Sequence, residues 1–122
     1  MAKTHDVLDI ADGLPDDLLN AIVDTFKVLS DPTRAQIVFL LTHREYSVNE
    51  LSELVPVSAS GVSHHLAKLR ALRLVNTRRD GNQIFYSIDD DHVARLFREA
   101  LYHLDHVRRN LPDRLYLQQS EH

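Results

Sequence analysis

From Asp16 to Leu29 the apolar residues Leu18, Leu19, Ile22, Val23, Phe26 and Leu29 recur at steps of three and four, which predicts a first helix with one apolar face. Ser30-Asp31-Pro32 interrupts it. Asp31 suits an N-cap and Pro32 the first helical position, so a second helix starts there and runs through Ile37, Leu40 and Leu41. Ser47-Val48-Asn49-Glu50 has the form of a capping box and opens a short third helix through Leu51 and Leu54, which Val55-Pro56-Val57 ends. Ser58 caps a fourth helix. With Ser60 set at zero and 100° per residue, Val62, Leu66, Leu69 and Leu72 fall between about 120° and 240°, while Ser63, His64 and Lys68 lie within about 80° of Ser60. One face is core; the other is small, polar and basic.

After Leu74 the period shortens to about two. Leu74-Val75-Asn76-Thr77-Arg78 and Gln83-Ile84-Phe85-Tyr86-Ser87-Ile88 are rich in β-branched and aromatic residues, and Asp80-Gly81-Asn82 between them predicts a hairpin. A last helix, from Asp91 to Asn110, carries Val93, Leu96, Phe97, Ala100, Leu101, Leu104 and Val107 at helical spacing, and Leu111-Pro112 closes it. A short helix, a tight turn, a helix with a polar outer face and then a hairpin read as a helix-turn-helix with a wing. The expected fold is mainly α with a β-hairpin wing, and dimeric. Residues 1–15 are a flexible N-terminal arm, 16–111 the DNA-binding and dimerisation domain, and 112–122 a C-terminal tail.

The last helix also carries a polar stripe. His92, His103 and His106 fall within a sector of about 60°, along the edge of the apolar stripe. His92 and His103 are nevertheless roughly 16 Å apart along the axis, too far for one zinc ion, which holds its nitrogen ligands at about 2.0–2.1 Å. Two such helices paired antiparallel would bring Asp90 and His92 of one chain to His103 and His106 of the other. Two identical sites of three imidazoles and a carboxylate would result, so the spacing implies both a metal and a homodimer. Asp90 precedes the helix and can turn inward as a cap. The competing reading is surface histidines that share a face by chance, since the chain has eight.

At 122 residues the chain is one domain, small enough to gain from burying an apolar face in a dimer. It has neither a long apolar run nor a secretory signal, so it reads as cytoplasmic, with no membrane partner. Cys is absent, which leaves only nitrogen and oxygen ligands. The net charge of −4 argues against nucleic acid until its distribution is considered: residues 58–79 hold Lys68, Arg70, Arg73, Arg78 and Arg79 and no acid. An acidic body with one basic edge suits a surface that grips a polyanion and releases it. Candidate contacts are Ser58, Ser60, Gly61, Ser63, His64 and Lys68 on the reading helix, and Arg78, Arg79 and Gln83 on the wing.

The runs Phe26-Lys27-Val28-Leu29-Ser30-Asp31-Pro32-Thr33-Arg34, Val62-Ser63-His64-His65-Leu66, and Gly81 through Tyr86-Ser87-Ile88 resemble the ArsR/SmtB family of bacterial metal-sensing winged-helix repressors. The resemblance covers about residues 16–111. Asp90-x-His92 and His103-x-x-His106 resemble the intersubunit site on the last helix of that family's zinc and cobalt sensors. It implies a dimeric repressor that holds double-stranded operator DNA when metal-free and releases it when metal binds. Two departures stand out: without Cys the family's thiolate site near the third helix is impossible, and Ala59 and Gly61 stand where relatives often carry longer polar side chains.

Three function classes follow. The favoured one is a repressor released by zinc or cobalt, with no small organic substrate. Nickel is the runner-up, since it usually takes more ligands and His5, Asp6 or His122 could supply them. The second class is a winged-helix regulator whose signal is not a metal. The third is a zinc hydrolase, disfavoured because four protein ligands close a tetrahedral site and leave no position for water.

Overall fold

The computed structural model describes residues 11–110. The first ten residues of the expected arm, the 112–122 tail, the Leu111-Pro112 stop, and His5, Asp6 and His122 lie outside the described residues. The chain runs α1 (Asp16–Leu29), α2 (Pro32–Leu41), β1 (Tyr46–Ser47), α3 (Val48–Leu54), α4 (Ala59–Ala71), β2 (Val75–Asp80), β3 (Gln83–Ile88) and α5 (Asp91–Asn110).

The helix starts follow the predicted chemistry. Asp31 accepts the Arg34 backbone N–H at 3.0 Å with Pro32 next to it, and Ser47 and Glu50 form a complete capping box. Ser58 accepts the Gly61 N–H at 3.2 Å. The end of α4 is less ordinary. Arg73 adopts a left-handed conformation with φ of 58°, the Leu74 N–H reaches the Leu69 carbonyl, and the Arg73 N–H reaches that of Arg70. This is a Schellman termination with arginine in the place glycine usually takes.

The hairpin pairs Asp80 with Gln83 across Gly81-Asn82. Gly81 alone of those two has positive φ, 63°, as a type II′ turn requires. A third strand was not expected. Tyr46–Ser47 pairs with β3, so the sheet has the order β1-β3-β2, antiparallel throughout. Two residues are too few to show a period, and both are absorbed in the sequence into the approach to the capping box.

Ile37, Val38 and Leu41 of α2, Leu51 of α3 and Val62, Leu66 and Leu69 of α4 meet in the core, closed beneath by Tyr46, Leu74 and Val75. The core face predicted for α4 is the one observed. By contrast α1 buries no residue, and of α5 only Ala94 is buried, with Val93 and Phe97 packed against the core's edge. Leu18, Leu19, Ile22, Val23 and Phe26 on α1, and Leu96, Leu101 and Leu104 on α5, remain exposed. Phe26 and Leu104 are more than half exposed, at 52% and 58%. Two amphipathic helices therefore present apolar faces that the described residues do not cover.

Candidate functional site

The first candidate surface is built from α4 and the wing. The buried row Val62, Leu66 and Leu69 fixes the helix's rotation, so Ser60, Ser63, His64 and Lys68 face outward and are exposed. Small hydroxyl residues at the start of such a helix allow close approach to bases, and the lysine one turn later suits a phosphate. Ser58 is exposed, but its Oγ is engaged as the cap and lies 3.1 Å from Ser60 Oγ. Gly61 has a packing reason as well: a Cβ there would stand 3.3 Å from Val57 Cβ, so its missing side chain lets α4 start hard against the turn. On the wing Arg79 and Gln83 are exposed next to the tip.

Arg78 is held differently. Its guanidinium donates from Nε to Glu45 Oε2 at 3.2 Å and from Nη2 to Oε1, while its carbon sits 4.9 Å from the centre of the Phe85 ring. The two donated hydrogen bonds hold the Glu45 carboxyl below its ordinary pKa and raise that of Arg78. Glu45 carries no signal in the sequence, because nothing there connects residues 33 positions apart, one on the approach to a two-residue strand and the other on a wing.

A polar knot behind α4 steadies it. Arg34 donates from Nε to the Val28 carbonyl at 2.7 Å and from Nη1 to His65 Nδ1 at 3.1 Å. Asp31 Oδ2 lies 3.9 Å from the same imidazole nitrogen. The Asp31 carboxyl is held below its ordinary pKa, first by the Arg34 backbone N–H and then by the charge of the Arg34 guanidinium. The Asp31-Pro32-Thr33-Arg34 run thus joins the end of α1 to the reading helix.

The second candidate surface lies on α5. Asp90 caps the helix, accepting the Val93 N–H at 3.2 Å, and the same oxygen stands 3.7 Å from His92 Nδ1. His92 is 84% exposed, and His103 and His106 are exposed further along the helix. One chain therefore brings Asp90 to His92 and leaves His103 and His106 at the far end. Among the described residues no three His, Asp or Glu side chains of this one chain gather closely enough to hold a metal ion. The donor types present, imidazole nitrogens and a carboxylate without thiolates, suit a divalent first-row metal ion. Among the described residues no helix is long and apolar enough to cross a membrane.

Comparison with known proteins places this geometry. The profile of the family "Bacterial regulatory protein, arsR family" matches residues 31–77, from the α2 cap to the middle of β2. The HTH-type transcriptional regulator KmtR of Mycobacterium tuberculosis is 48% identical over 101 residues, which span 83% of this chain and 78% of KmtR. The transcriptional repressor SmtB homolog of Synechocystis is 40% identical over 72% of this chain and 67% of its own length. Among solved structures, the homodimeric winged helix-turn-helix domain Mb0332 of Mycobacterium bovis superposes with a TM-score of 0.73 at 28% identity, covering 82% of this chain and 95% of that one. With the reading helix, the wing and identity at this level over most of its length, the chain belongs to the ArsR/SmtB family: it is a winged helix-turn-helix, DNA-binding transcriptional regulator and not an enzyme.

Proposed function

We propose that this regulator is a metal-responsive repressor that binds operator DNA as a metal-free homodimer and leaves it when zinc or cobalt fills two intersubunit sites. Each site would take Asp90 and His92 from one protomer and His103 and His106 from its partner. The observation that carries this reading is the division of α5: a preset Asp90–His92 pair at its start, two exposed imidazoles one turn apart at its end, and an uncovered apolar stripe alongside. An antiparallel pairing of two such helices would bury the stripe and bring the half-sites together. The uncovered face of α1 extends the same interface, and the homodimeric state of Mb0332 supports it.

Ser60, Ser63 and His64 would read base edges in the major groove, while Lys68, Arg79 and Gln83 hold the phosphates or the minor groove, with Ser58 and Gly61 setting how closely α4 approaches. A bound metal would supply a cross-link between subunits. The protein's part is to place two reading helices at the separation of successive major grooves, about 34 Å, and to lose that placement when the seam is fixed.

The test uses a duplex selected from a random pool by the metal-free protein. Zinc at one equivalent per site should release it, and His103→Ala should abolish the release while leaving metal-free binding intact. Cobalt titration should give the intense visible bands of four-coordinate geometry. Weak bands of a six-coordinate ion would favour nickel with additional ligands, and the absence of tight metal binding would leave a regulator with a different signal.

A further inference from the structure

Arg78 stands in a row of paired residues that crosses all three strands of the sheet. It pairs with Phe85 in the β2–β3 ladder, and Phe85 in turn pairs with Ser47 of β1. The three residues form one row across the sheet. The Arg78 side chain runs over the Phe85 ring and reaches Glu45, which directly precedes β1. There its two nitrogens meet the two carboxylate oxygens in the forked arrangement that a lysine cannot make.

This contact ties two functional parts together. Glu45-Tyr46-Ser47 leads straight into α3, the first helix of the helix-turn-helix, whereas Arg78 belongs to the outer strand of the wing. β1 has only two residues paired with β3, so little backbone hydrogen bonding fixes the hairpin to this approach. Arg78 is also flanked by a second carboxylate, Asp80 Oδ2 at 3.9 Å from Nη1. Two acids around one guanidinium leave that spot with no net positive charge to offer a phosphate. Arg79, its neighbour on the opposite face of the strand, has no such partner among the described residues.

We infer that Arg78 is not a DNA-contacting residue but, with Glu45, a positioning pair that sets the wing's angle to the reading helix. It deepens the DNA-binding reading above and rests on it. A phosphate contact and a positioning contact leave different traces. Losing a phosphate contact lowers the slope of log affinity against log salt by about 0.9. Losing an orienting contact lowers affinity at every salt concentration and leaves the slope alone.

The experiment measures binding of the full chain to the selected duplex over a salt series, with wild type first to separate this question from DNA binding itself. The variants are Glu45→Gln, Arg78→Gln, the two together, and Arg79→Gln. Each altered side chain is exposed, and circular dichroism confirms folding. Glu45→Gln, Arg78→Gln and the double variant should each lose the same about two- to fivefold in affinity, the range of an exposed ion pair, with an unchanged salt slope. Non-additivity of the two changes is the signature of a shared contact. Arg79→Gln should lower the slope. Unchanged or tighter binding by Glu45→Gln, or a slope in Arg78→Gln reduced as in Arg79→Gln, overturns the inference and returns Arg78 to the DNA surface.

Discussion

Arg34 on α2 and His65 on α4 are joined by a 3.1 Å hydrogen bond from guanidinium Nη1 to imidazole Nδ1. Because arginine can only donate, Nδ1 must accept, and the ring hydrogen sits on Nε2. The same guanidinium holds the Val28 carbonyl at the end of α1. An amphipathic helix with no buried residue is thereby fastened to α4, the second helix of the helix-turn-helix. Arg34→Ala should destabilise the fold by about 1–3 kcal/mol, the range for hydrogen bonds to a charged partner in a partly buried place, as read from urea unfolding. A midpoint within error of wild type would show that the knot holds nothing.

Asp31 gives that knot a pH dependence of known sign. Its carboxyl is held below the ordinary value in the folded chain, chiefly by the Arg34 backbone N–H, so folding favours the ionised form. The stabilisation is complete above the unfolded carboxyl's pKa, about 3.9, and is lost as pH falls through the lower folded value. Asp31→Asn keeps a capping oxygen but cannot titrate. Its stability should fall less steeply than that of wild type below about pH 4, whereas Asp31→Ala should lose about 1 kcal/mol already at neutral pH. Parallel acid profiles for wild type and the Asp31→Asn variant would assign the acid sensitivity to other groups.

Arg73 offers a stabilising change. A residue with a side chain in the left-handed region costs about 1–2 kcal/mol, and glycine's greater freedom in the unfolded chain returns part of that, about 0.5–1 kcal/mol. Arg73→Gly should therefore raise stability by about 0.5–1 kcal/mol while the two Schellman hydrogen bonds are kept. Thermal unfolding checks this, and a lowered midpoint would mean that the arginine side chain contributes more than its backbone costs.

The helices were legible because their starts carry side-chain chemistry that acts within four residues: Asp31 before Pro32, Ser47 before Glu50, Ser58 before Gly61. The rotation of α4 was legible because Val62, Leu66 and Leu69 must share one face. What escaped were relationships between distant segments. β1 exists only because β3 lies beside it, and Glu45 meets Arg78 only because β1 and β2 flank the same strand. In the sequence Arg78 counts with Arg79 as a wing cation, since charge adds along a chain while partners do not show in it. On α5 the spacing singled out Asp90, His92, His103 and His106 as candidate ligands, and the structure adds that Asp90 is turned toward His92 by its capping of Val93.

The half-sites make a prediction that one chain alone cannot satisfy. Asp90→Ala/His92→Ala protein and His103→Ala/His106→Ala protein should each bind no zinc tightly as homodimers. A heterodimer of the two should hold one zinc, because one of its two seams joins an intact Asp90–His92 pair to an intact His103–His106 pair. His64→Ala, on the reading helix, should bind zinc as wild type does. Two tags and sequential purification isolate the heterodimer, and zinc titration against a competing chelator counts its sites. No binding in that species would place the metal site within one chain.

The link between metal and DNA can be measured from either end. If filling Asp90, His92, His103 and His106 favours a subunit arrangement that fits the operator poorly, the two ligands oppose one another through a single coupling free energy. Thermodynamic linkage then requires operator DNA to weaken zinc binding by the same factor as zinc weakens DNA binding. Couplings of this kind are typically about 1–3 kcal/mol, or roughly 5- to 150-fold. To move the protein nearly completely from bound to released takes more, about 10⁴-fold differential affinity. Zinc affinity with and without saturating duplex, set beside duplex affinity with and without zinc, should give one factor from both pairs. Equal zinc affinities in the presence and absence of DNA would make the metal a structural element of the dimer seam and leave the regulatory signal elsewhere.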